Sequence, residues 1–166
     1  LPDCPGHPAW LAPREWLGAP LAARFPLHLL SDQPDRRLHS QLDASPHSAA
    51  GKVAGRQPVS LSPEDAAARG IRDGDVVRVF NDRGACLAGA VVTDAIRSGV
   101  ARLSTGAWYD PGPDGLERHG NPNAFTLDLP ASELSQGCAA QTCLVEIERW
   151  EGPVPRIEAH DLPEFV

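Results

Sequence analysis

The fold class is decided by residues 58–93, which read PVSLSPEDAAARGIRDGDVVRVFNDRGACLAGAVVT. Ser62 is placed to cap a helix that begins at Pro63, with two acidic residues in the first turn facing the positive end of the helix dipole. Gly70 can end that helix in the left-handed conformation. The segment therefore predicts a helix of about two turns, bounded at both ends by residues suited to those positions.

The second half of the same stretch predicts a β-hairpin. Residues 76–80 are rich in β-branched side chains and indicate a strand, and residues 81–84 have the composition of a tight turn. The returning strand is expected over residues 85–93, with Gly89 allowing a bulge. A further strand is expected over residues 100–104.

The remaining segments are shorter and more irregular. We expect strands at residues 26–31 and 142–149, a helical turn or two at 35–42, a polar loop at 45–57, a long loop at 106–123 and a short helix at 132–140. Short strands separated by long loops are typical of a small β-barrel with helical decorations. We therefore predict three parts: an arm rich in Pro and Trp over residues 1–25, a barrel domain over 26–152 and an extended C-terminal tail over 153–166.

Composition excludes several classes of protein. The net charge of −7 argues against nucleic acid as a partner, although it leaves room for a local basic pocket. We find no apolar run of about 18 residues and so expect no membrane span. The chain contains no Met, which favours a fragment of a longer protein. It holds a single lysine, Lys52, against 14 Arg, a balance that we attribute to a GC-rich genome.

No residue pattern predicts a self-sufficient active site. The six His are scattered, and the four Cys form no C-x-x-C pair, so we expect thiols and no metal site; Cys4 and His7 alone would make only half of a zinc site. Two loops are instead dense in neutral hydrogen-bonding groups, at residues 31–41 and 119–123, followed by Gln136. Amides both donate and accept hydrogen bonds, as the ring edges of a purine or pterin require. The same residue types are also ordinary turn and cap residues.

Several strings resemble the C-terminal domain of the dimethyl sulfoxide reductase family. They are FPLHLLSDQPDRRLHSQ at 25–41, residues 58–111 including DAAARGIRDGDVVRVFNDRG at 65–84, and HGNPN at 119–123. The opening CPGHPAW at 4–10, together with LHSQ at 38–41 and GAWYDP at 106–111, is similar to the S-oxide and N-oxide reductases of that family, especially those acting on biotin sulfoxide and trimethylamine N-oxide. The resemblance covers nearly the whole chain.

The resemblance implies a mainly β fold, a double-psi β-barrel with short helices and long loops. It also implies a molybdenum cofactor, bis(molybdopterin guanine dinucleotide), in a full-length enzyme that takes the oxygen atom from an S-oxide or N-oxide. The residues implied as cofactor contacts are Ser31, Gln33, His39, Trp108, Asn121, Asn123 and Gln136. For Trp108, an ordinary aromatic of the barrel core is an equal alternative.

The resemblance also implies what this chain lacks. The serine that holds the metal in the oxide reductases belongs to an earlier domain and has no counterpart here. The partners are then the remaining domains of the parent enzyme, and the isolated chain should be inactive. Two rival interpretations are a free-standing double-psi barrel that serves as a protein-interaction module, and the equivalent domain of a formate dehydrogenase or nitrate reductase. The amide-rich loops count against the first, and LHSQ and GAWYDP against the second.

Overall fold

The computed structural model describes residues 2–139 and 141–162, and in them the chain forms one mainly β domain. The strands are β1 (Leu27–Leu30), β2 (Pro58–Leu61), β3 (Val76–Asn81), β4 (Gly84–Val92), β5 (Val100–Leu103) and β6 (Cys143–Arg149). The α-helices are α1 (Pro46–Ala49) and α2 (Pro63–Ala68), and single 3₁₀ turns lie at Pro20–Ala23 and Pro122–Ala124.

The strands close into a barrel in the order β1-β5-β2-β4-β3-β6, with β6 returning to β1. Two pairs are parallel, β1 with β5 and β2 with β4, and the others are antiparallel. Each parallel pair joins strands that are not consecutive in the chain, because a parallel neighbour needs a long crossover. This is the double-psi β-barrel, and the expected fold class is confirmed.

The helix and hairpin form where the sequence predicts them. The Ser62 hydroxyl accepts a hydrogen bond from the Asp65 N–H at 3.1 Å and so caps α2. Gly70 follows the helix with φ of 64°, the left-handed conformation expected of a C-terminal glycine. β3 and β4 then pair without interruption from Val76–Gly89 to Asn81–Gly84, so the expected bulge at Gly89 is absent.

The core lies inside the barrel; β2, β3 and β5 alternate buried and half-buried residues, whereas β4 buries six successive residues. In β3 the buried positions are Val77, Val79 and Asn81, the pattern of a strand with one face inward. Asn81 is tolerated there because its amide donates to the carbonyl oxygens of Phe125 at 3.0 Å and Leu144 at 3.1 Å. The apolar core is therefore closed at this end by a satisfied amide.

Two expected helices are absent from the described residues. Residues 35–42 form successive turns with an isolated bridge between Leu38 and Gln41, and the Arg37 guanidinium links this segment, at the His39 carbonyl, to Gln57 and to the Thr105 carbonyl. Residues 132–139 form bends and irregular backbone with an isolated bridge between Pro130 and Cys138, and the last residue of that predicted helix lies outside the described residues. Within the expected loop at 45–57, the structure adds the short helix α1, capped by Ser45.

The N-terminal arm is anchored at one buried carboxylate. Glu15 is 4% exposed; it forms a salt bridge with Arg83 at 2.5 Å and accepts the Leu144 N–H at 2.8 Å. Trp10 and Trp16 pack edge to face with ring centroids 6.3 Å apart, and both remain exposed. The arm therefore holds to the barrel through a charge and keeps an aromatic pair on its surface.

The described part of the C-terminal tail runs along the site loops without regular structure. The Arg56 guanidinium donates to the Pro155 carbonyl at 2.5 Å, and the Glu158 N–H donates to Asp110 at 3.0 Å. Arg118 adds a salt bridge to Glu158 at 3.0 Å. In the residues described here, no helix has the length and apolar character needed to cross a membrane.

Candidate functional site

The predicted ligand loops converge on one open pocket beside the barrel, with a volume of about 550 Å³. That volume falls within the range of small-molecule sites, roughly 300–1,000 Å³. The pocket is lined by Gln33, His39, Ser40, Thr105, Gly106, Ala107, Trp108, Tyr109, Asn121 and Asn123. Five of the seven predicted contact residues are among them, although the two loops lie far apart in sequence.

A close backbone contact holds two of these loops together at Gly106. This glycine has φ of 88°, and a Cβ added to it would collide with the carbonyl group of His39. His39 itself has a positive φ of 53°, which is uncommon for a residue with a side chain. The geometry of the pocket therefore depends on a position that only glycine can occupy without strain.

The amide and imidazole groups of the pocket divide into free and engaged ones. In the part of the chain that the structure describes, the side chains of Gln33, His39 and Asn123 form no hydrogen bond, and all three are exposed. Asn121 is buried; its amide donates to the Ala107 carbonyl at 2.7 Å and its oxygen accepts the Asn123 N–H at 3.0 Å. The first three can thus reach a ligand, whereas Asn121 shapes the loop.

Two predicted contact residues, Ser31 and Gln136, do not line this pocket. The backbone of Ser31 is clamped by the Gln141 amide, which accepts from its N–H at 3.1 Å and donates to its carbonyl at 2.5 Å. The Ser31 hydroxyl is buried and has no partner among the described residues. Gln136 is exposed in the irregular segment 131–139. Their assignment as contacts remains a prediction that the pocket geometry does not support.

Trp108 forms part of the pocket wall and does not belong to the barrel core. Its side chain is 41% exposed, and its indole N–H donates to the Ser40 carbonyl at 2.7 Å. Its backbone N–H donates to Asp43 at 3.1 Å. The ring of His160 packs against it edge to face at 5.1 Å. The indole is therefore fixed in position while one part of its surface stays open.

Behind Trp108 lies a buried network centred on Asp43. One carboxylate oxygen of Asp43 faces Lys52 at 2.9 Å and Arg37 at 3.4 Å. The other accepts from His160 at 3.0 Å, in addition to Trp108. Burial alone would raise the pKa of Asp43, but these hydrogen bonds and the Lys52 charge outweigh it and lower the pKa to about 2. Asp43 is therefore ionised at any ordinary pH.

His119 completes the network as a neutral imidazole. Burial, followed by the charge of Lys52, lowers the pKa of His119 to about 4. Its Nδ1 lies 2.9 Å from the Trp108 carbonyl oxygen, which can only accept, so Nδ1 carries the proton. Its Nε2 lies 2.6 Å from the Lys52 ammonium, which can only donate, so Nε2 accepts. The two contacts require one tautomer of the neutral ring.

This chemistry disfavours a metal ion at the network. Asp43, His119 and His160 offer ligand atoms within 4.8 Å of one another. However, both nitrogens of His119 are engaged, and the ammonium of Lys52 lies within hydrogen-bond distance of two of the three residues. A divalent cation here would be repelled by Lys52 and would have to break these bonds. We therefore assign the cluster a structural role.

The loop that carries Asn121 and Asn123 is organised by Glu117, which is fully buried. Its carboxylate accepts four backbone N–H groups, from Asp110 at 3.1 Å, His119 at 3.0 Å, and Gly120 and Asn121 at 2.7 Å each. Burial raises the pKa of Glu117, and these hydrogen bonds oppose the rise. One side chain thus replaces the regular structure that this loop lacks.

Four residues that support the site carry no clear signal in the sequence, namely Asp43, Lys52, Glu117 and His160. Their partners are distant in sequence, so no spacing reveals them. Lys52 had one indirect signal, because it is the single lysine of an arginine-rich chain. The buried network gives a structural reason for a lysine at this position, because its flexible ammonium can reach Asp43 and His119 together.

Comparison with known proteins gives a consistent result. The family model described as the molydopterin dinucleotide binding domain matches residues 27–144. The chain is 55% identical over 151 residues to a biotin sulfoxide reductase of Cereibacter sphaeroides, covering 90% of this chain and 20% of that protein. It is 50% identical over 167 residues to a trimethylamine-N-oxide reductase of Salmonella typhimurium, covering 97% of this chain and 20% of that protein. The chain thus spans about one fifth of the length of these relatives.

A solved structure supports the fold independently. Acetylene hydratase from Pelobacter acetylenicus matches with a TM-score of 0.66 and 20% sequence identity, over 86% of this chain and 21% of that one. At this identity the likeness concerns the fold alone. The same barrel therefore occurs as one part of a much longer polypeptide.

Proposed function

The chain belongs to the molybdopterin dinucleotide-binding domain family, and from this membership we propose that its polar pocket holds part of a molybdopterin guanine dinucleotide. The observation that carries the proposal is the convergence of three free hydrogen-bonding side chains, Gln33, His39 and Asn123, on one open pocket. A pterin or guanine edge needs both donors and acceptors, and these side chains supply both. A protein-interaction module would not need a pocket lined by free hydrogen-bonding side chains.

The pocket fits a part of such a cofactor and not the whole. It is open on one side, as a half-site covered by another domain would be, and its wall is neutral and polar. Gln33, His39 and Asn123 would hydrogen-bond the ring edges, and the exposed face of Trp108 would pack against them. We propose that the remaining domains of the parent enzyme complete the site and provide the serine that holds the metal.

We further propose that the parent protein reduces an S-oxide or an N-oxide. Support comes from the relatives of this chain, which are named for biotin sulfoxide and trimethylamine N-oxide at 50–55% identity. The bound bis(molybdopterin guanine dinucleotide) molybdenum cofactor would supply the oxygen-atom transfer, and an external electron donor would supply the two electrons that, with two protons, convert the oxygen atom to water. Relatives of this kind favour an oxide reductase over a formate dehydrogenase or nitrate reductase.

In this mechanism the chain contributes positioning, and we assign it no catalytic residue. Glu117 holds the loop of Asn123, and Gly106 holds the loop of His39. The network of Asp43 fixes Trp108 from behind. Ligand-binding groups carried on loops need such support, because an error of about 1 Å in their placement weakens binding and slows the reaction.

The proposal can be tested in the full-length protein that contains this sequence. Gln33→Leu and Asn123→Leu should each lower the molybdenum and guanine content of the purified enzyme. They should also slow the reduction of biotin sulfoxide and trimethylamine N-oxide by a reduced viologen dye. Loss of one good hydrogen bond to the cofactor should weaken the affinity for it about tenfold. His47→Leu is the control, because His47 is an exposed polar side chain that does not line the pocket.

Two outcomes would count against the proposal. A purified wild-type protein that holds no molybdenum and reduces neither oxide would exclude the function. Equal losses in the Gln33 and His47 variants would show that the pocket described here is not where the cofactor binds.

A further inference from the structure

A second, smaller cavity of about 210 Å³ adjoins the polar pocket across the segments that carry Gln33 and Thr105. Its volume lies below that of sites for whole small molecules, so it suits a single chemical group. In the part of the chain that the structure describes, its wall carries four cationic side chains and one acidic side chain, those of Arg36, Arg37, Lys52, Arg102 and Asp35. The cavity is thus basic in a protein whose net charge is −7.

The charges behind this cavity do not balance. Arg37 and Lys52 are buried, with side-chain exposures of 3% and 5%, and both contact the same carboxylate of Asp43. His119, the other contact of Lys52, is neutral at pH 7 because its pKa is about 4. One of the two buried cations is therefore uncompensated within the described residues. A buried charge without a counterion is unfavourable, and an anion in the cavity would remove that penalty.

Three groups on the wall have hydrogen-bond donors to offer. Arg36 is exposed, and its guanidinium has no partner among the described residues. Lys52 has three N–H donors, of which Asp43 and His119 take two. Ser60 also lines the cavity, and its hydroxyl forms no hydrogen bond in the described part of the chain. By contrast, Arg102 is engaged by Asp32 at 2.7 Å.

We propose that this cavity binds a phosphate group, held by the guanidinium of Arg36, the third N–H of Lys52 and the hydroxyl of Ser60. A phosphate carries the charge that the buried pair lacks and accepts several hydrogen bonds at once. The group can belong to a dinucleotide cofactor or to a free phosphate or phosphomonoester. The inference does not depend on the proposed function, because either source satisfies the same charge and donors.

The experiment uses the chain as it stands and inorganic phosphate as the first probe. Phosphate should raise the melting temperature in a saturable way, beyond the effect of chloride at equal ionic strength and pH. Arg36→Gln should weaken phosphate binding about tenfold, the equivalent of one charge-assisted hydrogen bond, measured by calorimetric titration. Because Arg36 is exposed, this variant should fold normally. Arg97→Gln, at an exposed arginine outside the cavity, should leave the affinity unchanged.

Ser60→Ala provides a second test that removes no charge, and it should weaken phosphate binding several-fold. The proposal is overturned if phosphate stabilises the chain no more than chloride does. It is also overturned if the Arg36 and Arg97 variants lose affinity equally, since that would indicate a diffuse charge effect.

Two further probes distinguish the source of the phosphate. Tighter binding of pyrophosphate and guanosine diphosphate than of phosphate, with the same loss in Arg36→Gln, supports the cavity as a seat for the phosphates of the cofactor. Weaker binding of these two probes, with phosphate itself retained, supports a separate site for a free phosphate or phosphomonoester. A failure of the cofactor assignment would leave this result intact, because inorganic phosphate contains no pterin.

Discussion

Lowering the pH from about 7 to about 5 should destabilise the chain through His119. Its folded pKa is about 4 against an ordinary value of 6.5, because it is buried beside Lys52. Between those two values the unfolded chain takes up a proton that the folded chain does not, so stability falls as the pH falls. The stability that the neutral His119 gives the folded chain is fully present above pH 6.5 and is lost as the pH falls towards 4. By pH 5 the free energy of unfolding should have decreased by about 2 kcal/mol.

The measurement is urea unfolding followed by circular dichroism at several pH values. His119→Asn is less stable at pH 7, but it should lose about 2 kcal/mol less than the wild type over the same pH interval. Asp43 does not interfere, because its pKa of about 2 keeps it ionised throughout. His7→Asn, at an exposed position in the arm, should follow the wild type. Identical pH dependence in the wild type and His119→Asn would refute the neutral buried imidazole.

Three further outcomes are expected. Gly106→Ala should lower the free energy of unfolding in urea by at least about 2 kcal/mol more than Gly74→Ala does. Both glycines have positive φ, but only at Gly106 would a Cβ meet the backbone of another loop. Equal losses in the two variants would contradict that contact. His160→Ala should speed hydrogen exchange of the Trp108 indole N–H several-fold, because the His160 ring packs against the indole. The free energy of unfolding should change by about 1 kcal/mol or less. Unchanged exchange would show that the tail does not hold the indole. Glu15→Gln should free the arm and accelerate its cleavage in limited proteolysis, unless contacts other than the salt bridge hold it.

Local rules predicted the parts of the fold whose structure is determined locally. The helix α2 has its cap, its first-turn charges and its terminal glycine within nine residues, and the hairpin β3–β4 has its turn between two runs of β-branched and small residues. The closing strand was predicted over residues 142–149 and forms as β6, although its first three residues are all buried and do not alternate. The closure of the barrel by parallel pairs came from the family resemblance, since no local pattern encodes which distant strand will be the neighbour.

The errors occurred where side chains act over long distances. Residues 35–42 have a composition compatible with a helix, but Arg37 donates to Gln57 and to the carbonyl of Thr105, and these bonds draw the segment into turns. Asp43 and His160 are 117 residues apart and meet at 3.0 Å. Such contacts arise only after the barrel has formed, so no window of sequence could have revealed them. The amide-rich loops were found because their composition, unlike their geometry, is visible locally.

The closed barrel also restricts how other polypeptides can attach to this domain. Each strand among those described has neighbours on both sides, so the sheet presents no open edge of unpaired N–H and C=O groups. Partners therefore cannot join by adding a strand and must meet the domain through side chains, such as those of the aromatic arm, and through loops. Contacts of that kind depend on the individual residues at the surface, so single substitutions there can change how tightly a neighbour docks while the barrel itself stays intact.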